Sequence, residues 1–186
     1  MAGLAFTGER KIEKAGQMLA EDAAIEVRGR DHPWVSRGGI KLAHALEHFG
    51  WDVTGAVAID VGSSTGGFTD VLLTRGAARV YAVDSGTNQL AWKLRQDPRV
   101  VAMEKTNARE LTAGKLSAAS GQPAAELVGP LVVADCSFIS LRKILPPAVA
   151  LLRESGRIVA LVKPQFEADR KSTRLNSSHT DISRMP

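Results

Sequence analysis

Three residues in this chain have the types and positions for acid–base work on a hydroxyl: Lys41, Asp135 and Lys163. Asp135 closes the apolar run Val132-Val133-Ala134, and Lys163 closes Val159-Ala160-Leu161-Val162. Each run reads as a buried strand, so each polar residue falls at a strand's carboxyl end, where open α/β sheets keep their active sites. Lys41 lies on a predicted helix just before the first such strand. A partly buried lysine can be held as a neutral amine, and a neutral amine accepts a proton. With a carboxylate and a second cation beside it, such an amine can deprotonate a hydroxyl such as that of a ribose. A surface ion pair would account equally well for any one of the three alone.

A second stretch offers a ligand cradle. Asp60-Val61-Gly62-Ser63-Ser64-Thr65-Gly66-Gly67-Phe68-Thr69-Asp70 follows the apolar run Ala56 to Ile59 and opens a helical pattern. A buried strand, a glycine-rich turn and a helix start let the backbone approach a ligand and offer it free N–H groups. The next apolar run, Arg79 to Val83, ends in Asp84, about 20 residues on, where a doubly wound sheet places a ribose-binding acid. The glycine spacing does not meet the nicotinamide fingerprint G-x-G-x-x-G, which disfavours an oxidoreductase. It resembles motif I of S-adenosylmethionine (SAM) dependent methyltransferases. An ordinary strand-to-helix turn is the plainer alternative.

The elements that must position these residues alternate as β-α-β. Strands are expected near 56–61, 79–84, 99–104, 131–135 and 157–162. Helices are expected near 67–75, 87–97 and 139–154, with 108–128 poorly defined. Pro146-Pro147 should break or kink the last of these helices. Before the sheet, Ile40 to Phe49 reads as a helix with an apolar stripe of Leu42, Ala45, Leu46 and Phe49, ended by Gly50. The fold class is therefore α/β: a Rossmann-like, mostly parallel sheet with right-handed crossovers.

Outside that core, residues 1–31 are polar and mixed in charge, with one short strand expected at Ala24 to Val27. Lys11, Lys14, Arg28 and Arg30 can reach phosphate, but acids are interleaved with them. His32-Pro33-Trp34-Val35 reads as a stiff linker. The last residues, 170–186, are rich in Ser, Thr and Arg without apolar period, and read as a non-native adaptor sequence.

The 186 residues, 44% hydrophobic, suit one α/β domain with extra sequence at the ends. Net charge is +4, yet the tail alone holds Arg170, Lys171, Arg174 and Arg184 against Asp181, so bulk charge says little about nucleic acid. A single cysteine, Cys136, excludes an internal disulfide. No signal-peptide core or bilayer-spanning run is present, which points to a cytoplasmic protein. The prolines of a base-amine methyltransferase motif are missing from Asp135-Cys136-Ser137-Phe138. Cys136 as a cytosine-C5 nucleophile has no supporting residue, and it reads better as a small core residue.

Four separated segments together resemble one family. Trp34 to Leu42, Asp60 to Asp70, Ala134 to Leu141 and Leu161 to Glu167, across roughly residues 5–168, are similar to TlyA proteins, within the FtsJ-like group of ribose 2′-O-methyltransferases. The resemblance implies methyl transfer from SAM to ribose 2′-hydroxyls of ribosomal RNA, with no metal required. It implies Lys163 as base, with Lys41 and Asp135 as its catalytic partners in a Lys-Asp-Lys-Glu set. It implies cofactor contacts at Asp60, Gly62, Ser64, Gly66, Gly67 and Phe68, with Asp84 at the ribose and Asn107 by the adenine. It also implies that residues 1–31 are the end of an RNA-binding domain of the type named after ribosomal small-subunit protein four, that 32–38 are a linker associated with cofactor binding, and that 39–169 are the catalytic domain. The family's final glutamate lies beyond Glu167, on a later strand, so the chain is expected to be cut at both ends. A remnant that binds without turnover is the alternative. A hemolysin, a name this family carries, would need a membrane-active stretch that the sequence lacks.

Overall fold

The computed structural model describes residues 5–14, 16–29, 32–123 and 129–168. The tail at 170–186 and Arg30 lie outside the described residues. The chain divides into two compact units, Met1–Pro33 and Trp34–Pro186.

The first unit holds three very short antiparallel strands, β1 (Ala5–Thr7), β2 (Arg10–Lys11) and β3 (Glu26–Val27), in the order β2-β1-β3. None of its described residues is buried. Arg28 stitches it together: Nη2 donates to the Gly8 carbonyl at 3.0 Å, Nε donates to Glu26 at 2.9 Å, and the guanidinium lies over the Phe6 ring. Arg28 is thus committed within the unit, whereas Lys11 is exposed on β2.

The second unit is built on five parallel strands: β4 (Val57–Val61), β5 (Arg79–Val83), β6 (Val100–Met103), β7 (Gly129–Ala134) and β8 (Leu152–Ala160). Their order is β6-β5-β4-β7-β8. The chain enters at the centre, runs outward through β5 and β6, then returns to the other side of β4. Loops leaving β4 and β7 therefore diverge, which opens a crevice at the carboxyl ends of the strands.

Side chains alternate across the sheet with the period of two that strands impose. Ala58, Val80, Leu131 and Val133 pack against Leu42 and Leu46 of α1 (Gly38–His48) and Phe68, Val71 and Leu72 of α2 (Gly67–Thr74). Ile59, Val61, Tyr81 and Val132 pack against Leu116 of α4 (Ala113–Ser120) and Ile144 and Ala148 of α5 (Leu141–Val149). A strand covered on both faces must be apolar throughout, which explains the unbroken runs in the sequence.

The structure corrects several boundaries. The helix expected at 87–97 shrinks to α3 (Trp92–Arg95), because residues 84–91 form a loop with Asn88 at φ 55°. Pro146 and Pro147 do not break α5. The carbonyls they leave unbonded by the helix ladder belong to Arg142 and Lys143, both exposed residues, where solvent can replace the missing N–H partners. The helix ends at Val149, well short of 154, and β8 starts at Leu152, with a register irregularity between Gly129 and Leu131 of β7. Phe49 is 55% exposed rather than part of the α1 stripe, while Gly50 does end the helix at φ 61°. A last short helix, α6, spans Pro164–Glu167. Among the described residues no helix is long and apolar enough to cross a membrane.

Candidate active site

Two adjoining cavities sit over the carboxyl ends of β4, β5 and β7. The larger, about 550 Å³, is walled by Gly62, Ser64, Val83, Asp84, Asn107 and Ile139, among others. The smaller, about 220 Å³, is walled by Lys41, Asp60, Gly67, Phe68, Asp135 and Lys163, among others. They share Gly62, Ser64, Asp135 and Ser137, so they form one cleft. The volume of the larger part suits a nucleoside-sized ligand.

The glycine-rich turn is organised by Asp84. Its Oδ2 accepts from the Ser64 N–H at 2.8 Å and its Oδ1 accepts from the Gly86 N–H at 2.7 Å. Ser64 adopts φ 48°, a conformation that side chains disfavour, and this bond helps hold it there. Each oxygen of a carboxylate has two lone pairs, so Asp84 keeps acceptor capacity for ligand hydroxyls. Gly66 and Gly67 are also constrained by what packs against them, although Gly67 lines the smaller cavity. Gly66 has φ 93°, and a Cβ there would drive into Leu90 and Leu94. A Cβ at Gly67 would strike Ser36 and the Gly39 backbone. These glycines are demanded by packing on the helical side of the turn, and Gly66 lines neither cavity. Phe68, 3% exposed, is a core side chain that also edges the smaller cavity. Asn107 borders the larger cavity, but its side chain caps the 3-10 turn Ala108–Glu110, with Oδ1 accepting from the Arg109 N–H at 3.1 Å.

Asp60 is 1% exposed. Its Oδ2 accepts from both the N–H and the hydroxyl of Thr69, at 2.9 and 2.7 Å, while Oδ1 has no hydrogen-bond partner. Burial pushes this carboxyl up to about 7, against the Thr69 bonds; Asp135 and Asp84 add to the rise. A buried acceptor left unmade is costly. Asp60 borders the smaller cavity, but its unpartnered Oδ1 is itself closed off from solvent.

The three candidate acid–base residues converge. Lys41 comes from the first turn of α1, Asp135 follows β7 directly, and Lys163 stands three residues past β8. Asp135 lies between the two amines: Lys41 Nζ is 3.2 Å from Oδ2 and Lys163 Nζ is 2.6 Å from Oδ1. The second contact is off hydrogen-bond alignment, and the Lys163 amine instead donates to Ser137 Oγ at 2.8 Å. Lys163 and Asp135 side chains are about one-fifth exposed, whereas Lys41 is half exposed. Lys163 is not the end of a buried strand as its sequence context indicates: β8 stops at Ala160 and Val162 is exposed. Among the described residues no group of His, Cys, Asp and Glu is arranged to hold a metal ion.

Cys136 is half-buried, packed against the core on one side and lining the larger cavity on the other. Its Sγ donates to the Val61 carbonyl at 3.4 Å, and burial pushes the thiol up to about 11, so it carries no thiolate at neutral pH. Sequence reasoning missed Ser137, which had no distinguishing signal beyond standing two residues after Asp135. It also missed what holds the strap before α1. There Asp70 Oδ2 accepts from the Val35 N–H at 2.8 Å and pairs with Lys93, while the Trp34 ring fills the space a side chain at Gly39 would need. Trp34 to Arg37 therefore belong with the second unit rather than to a free linker.

A family model described as FtsJ-like methyltransferase matches residues 34–180. YqxC of Bacillus subtilis is 48% identical over 172 residues, covering 92% of this chain and 58% of that protein. The 16S/23S rRNA (cytidine-2′-O)-methyltransferase TlyA of Mycobacterium tuberculosis is 52% identical over 159 residues, covering 84% of this chain and 55% of that protein. Among solved structures, a Streptococcus thermophilus protein named as a hemolysin superposes with a TM-score of 0.72 at 44% identity, covering 91% of this chain and 59% of that one. The chain thus spans a little over half the length of the curated relatives it matches. With four-fifths of its residues inside the matched region, the chain belongs to the FtsJ-like methyltransferase family.

Proposed function

We propose that the protein transfers a methyl group from SAM to a ribose 2′-hydroxyl of ribosomal RNA. The observation that carries this reading is the convergence of Lys41, Asp135 and Lys163 at one end of a cleft whose other end is Asp84. When bound, SAM supplies an electrophilic methyl on a sulfonium. Asp84 would accept from its ribose hydroxyls, Asn107 would border the adenine, and Asp60 would border the methionine end. Gly62, Ser64, Gly67 and Phe68 wall the methionine end, and Gly66 shapes the turn without touching the ligand.

On the substrate side, Lys163 accepts the proton of the 2′-hydroxyl as the oxygen is methylated. Asp135 holds the amine at the reacting position, and Lys41 fixes the other oxygen of Asp135 so that the carboxylate cannot turn away. Placing these groups before the substrate arrives lowers the entropic part of the barrier. The relatives named as rRNA methyltransferases support RNA as the acceptor. Residues 1–31, with Lys11 exposed, are read as the end of an RNA-binding unit, and the protein as one that acts on ribosomes in the cytoplasm.

The test is product identity. Full-length protein is incubated with labelled SAM and ribosomal subunits, and the RNA is digested to nucleosides for mass analysis. A 2′-O-methylnucleoside is the expected product. Methyl on a base alone, or none on RNA, would overturn the reading.

A further inference from the structure

We propose that Ser137 and Glu167 are positioning residues that aim the Lys163 amine, an inference that rests on the reading of Lys163 as base. The argument starts from what an amine needs. A neutral lysine has two N–H bonds and one lone pair, and only the lone pair accepts a proton. Acceptors belonging to the protein must take the N–H bonds so that the lone pair is left for the substrate. The aligned acceptor at Lys163 is Ser137 Oγ, at 2.8 Å; Asp135 Oδ1 is nearer but off axis.

Ser137 sits in the segment between β7 and α5, which has no regular structure of its own, and Phe138 beside it is at φ 66°. Something must hold that segment still. Glu167 does so from the far side. Its Oε1 accepts from the Leu141 N–H at 2.8 Å and its Oε2 accepts from the Ser140 hydroxyl at 2.7 Å. A carboxylate is well placed at this helix start, where N–H groups lack partners in the helix. Those bonds hold the Glu167 carboxyl below the usual range.

Lys163 and Glu167 belong to one rigid piece. The turn of α6 is closed by Phe166 N–H to the Lys163 carbonyl at 2.9 Å and Ala168 N–H to the Pro164 carbonyl at 3.0 Å. One turn therefore grips the Ser137 segment at both ends: Lys163 at Ser137, Glu167 at Ser140 and Leu141. Between them the Phe138 and Phe166 rings lie 5.3 Å apart. Slackening either grip lets Ser137 leave the amine, and the lone pair loses its direction. Glu167 thus serves the site without being its fourth catalytic carboxylate.

The experiment compares Ser137→Ala, Ser137→Thr, Glu167→Ala and Glu167→Gln in the full-length protein. It measures kcat and KM on ribosomal subunits, SAM affinity by calorimetry, and Tm. Both alanine variants are expected to lose about tenfold or more in kcat, with KM and SAM affinity within about threefold. The conservative variants keep an oxygen acceptor at each position, and are expected to recover most of the rate. Ser137 is exposed, so the added methyl of threonine has room. Full rates in both alanine variants, or losses that follow Tm and are not recovered by threonine and glutamine, would overturn the proposal. A wild-type protein that methylates no ribose would instead remove the underlying reading and this inference with it.

Discussion

The two ends of the cleft are built from different materials. At the nucleoside end, Asp84 is held by backbone N–H groups of Ser64 and Gly86, on a turn whose glycines are fixed by packing. At the amine end, Lys41, Asp135, Ser137 and Lys163 meet through side chains carried by α1, the segment after β7 and the segment after β8. A backbone cradle is set by local sequence and tolerates few shapes. A side-chain constellation is set by three distant segments and depends on each of them. The nucleoside end should therefore fail through affinity and folding, and the amine end through rate.

The largest effect expected is at Asp135. Asp135→Ala leaves two amines without the carboxylate between them and should lower kcat about a hundredfold, with SAM affinity little changed; steady-state methyl transfer beside calorimetry checks this. A large loss of SAM affinity instead would erase the division between the two ends. Next comes Gly66→Ala. Its positive φ and the collision with Leu90 and Leu94 should cost about 2–4 kcal/mol of stability, read from urea unfolding. Asp84→Ala removes a two-oxygen acceptor and should weaken SAM binding about 10- to 100-fold, by calorimetry, with a smaller change in kcat. Unchanged affinity would mean that Asp84 only ties the turn.

The last effect concerns pH and is read on stability alone. Asp60 titrates near 7 in the fold, above its unfolded value, so the native state holds this proton more tightly. Its contribution to stability is complete below about pH 4 and is lost as pH rises through 7. Asp60→Asn keeps an oxygen for Thr69 and should flatten that decline, a change on the order of 2–4 kcal/mol between pH 4 and 8 in urea titrations without ligand. An identical decline in the variant would assign the pH dependence to other groups.

The same contrast explains what could be read from the sequence. The β4-turn-α2 unit and Asp84 were legible because apolar runs, glycines and a following acid are close in sequence. The positions of Asp135 and Lys163 followed from the rule that sites gather at strand ends, and their meeting with Lys41 followed from the family resemblance. The grip of Glu167 on Ser140 was not legible, since it spans 27 residues and depends on how α6 folds back. The prolines of α5 leave the helix unbroken, with their two spare carbonyls on exposed residues, yet it ends two residues after Pro147 rather than at 154. Asn107 lines the cleft, but its side chain is engaged by its own turn, which the sequence did not reveal.

The central claim is that Lys163 takes the proton and does not hold the cofactor. The most direct test is Lys163→Ala in the full-length protein, with single-turnover methyl transfer to ribosomal RNA measured beside SAM affinity. The account predicts that transfer falls at least about a hundredfold while affinity stays within about threefold. Retained transfer would contradict it.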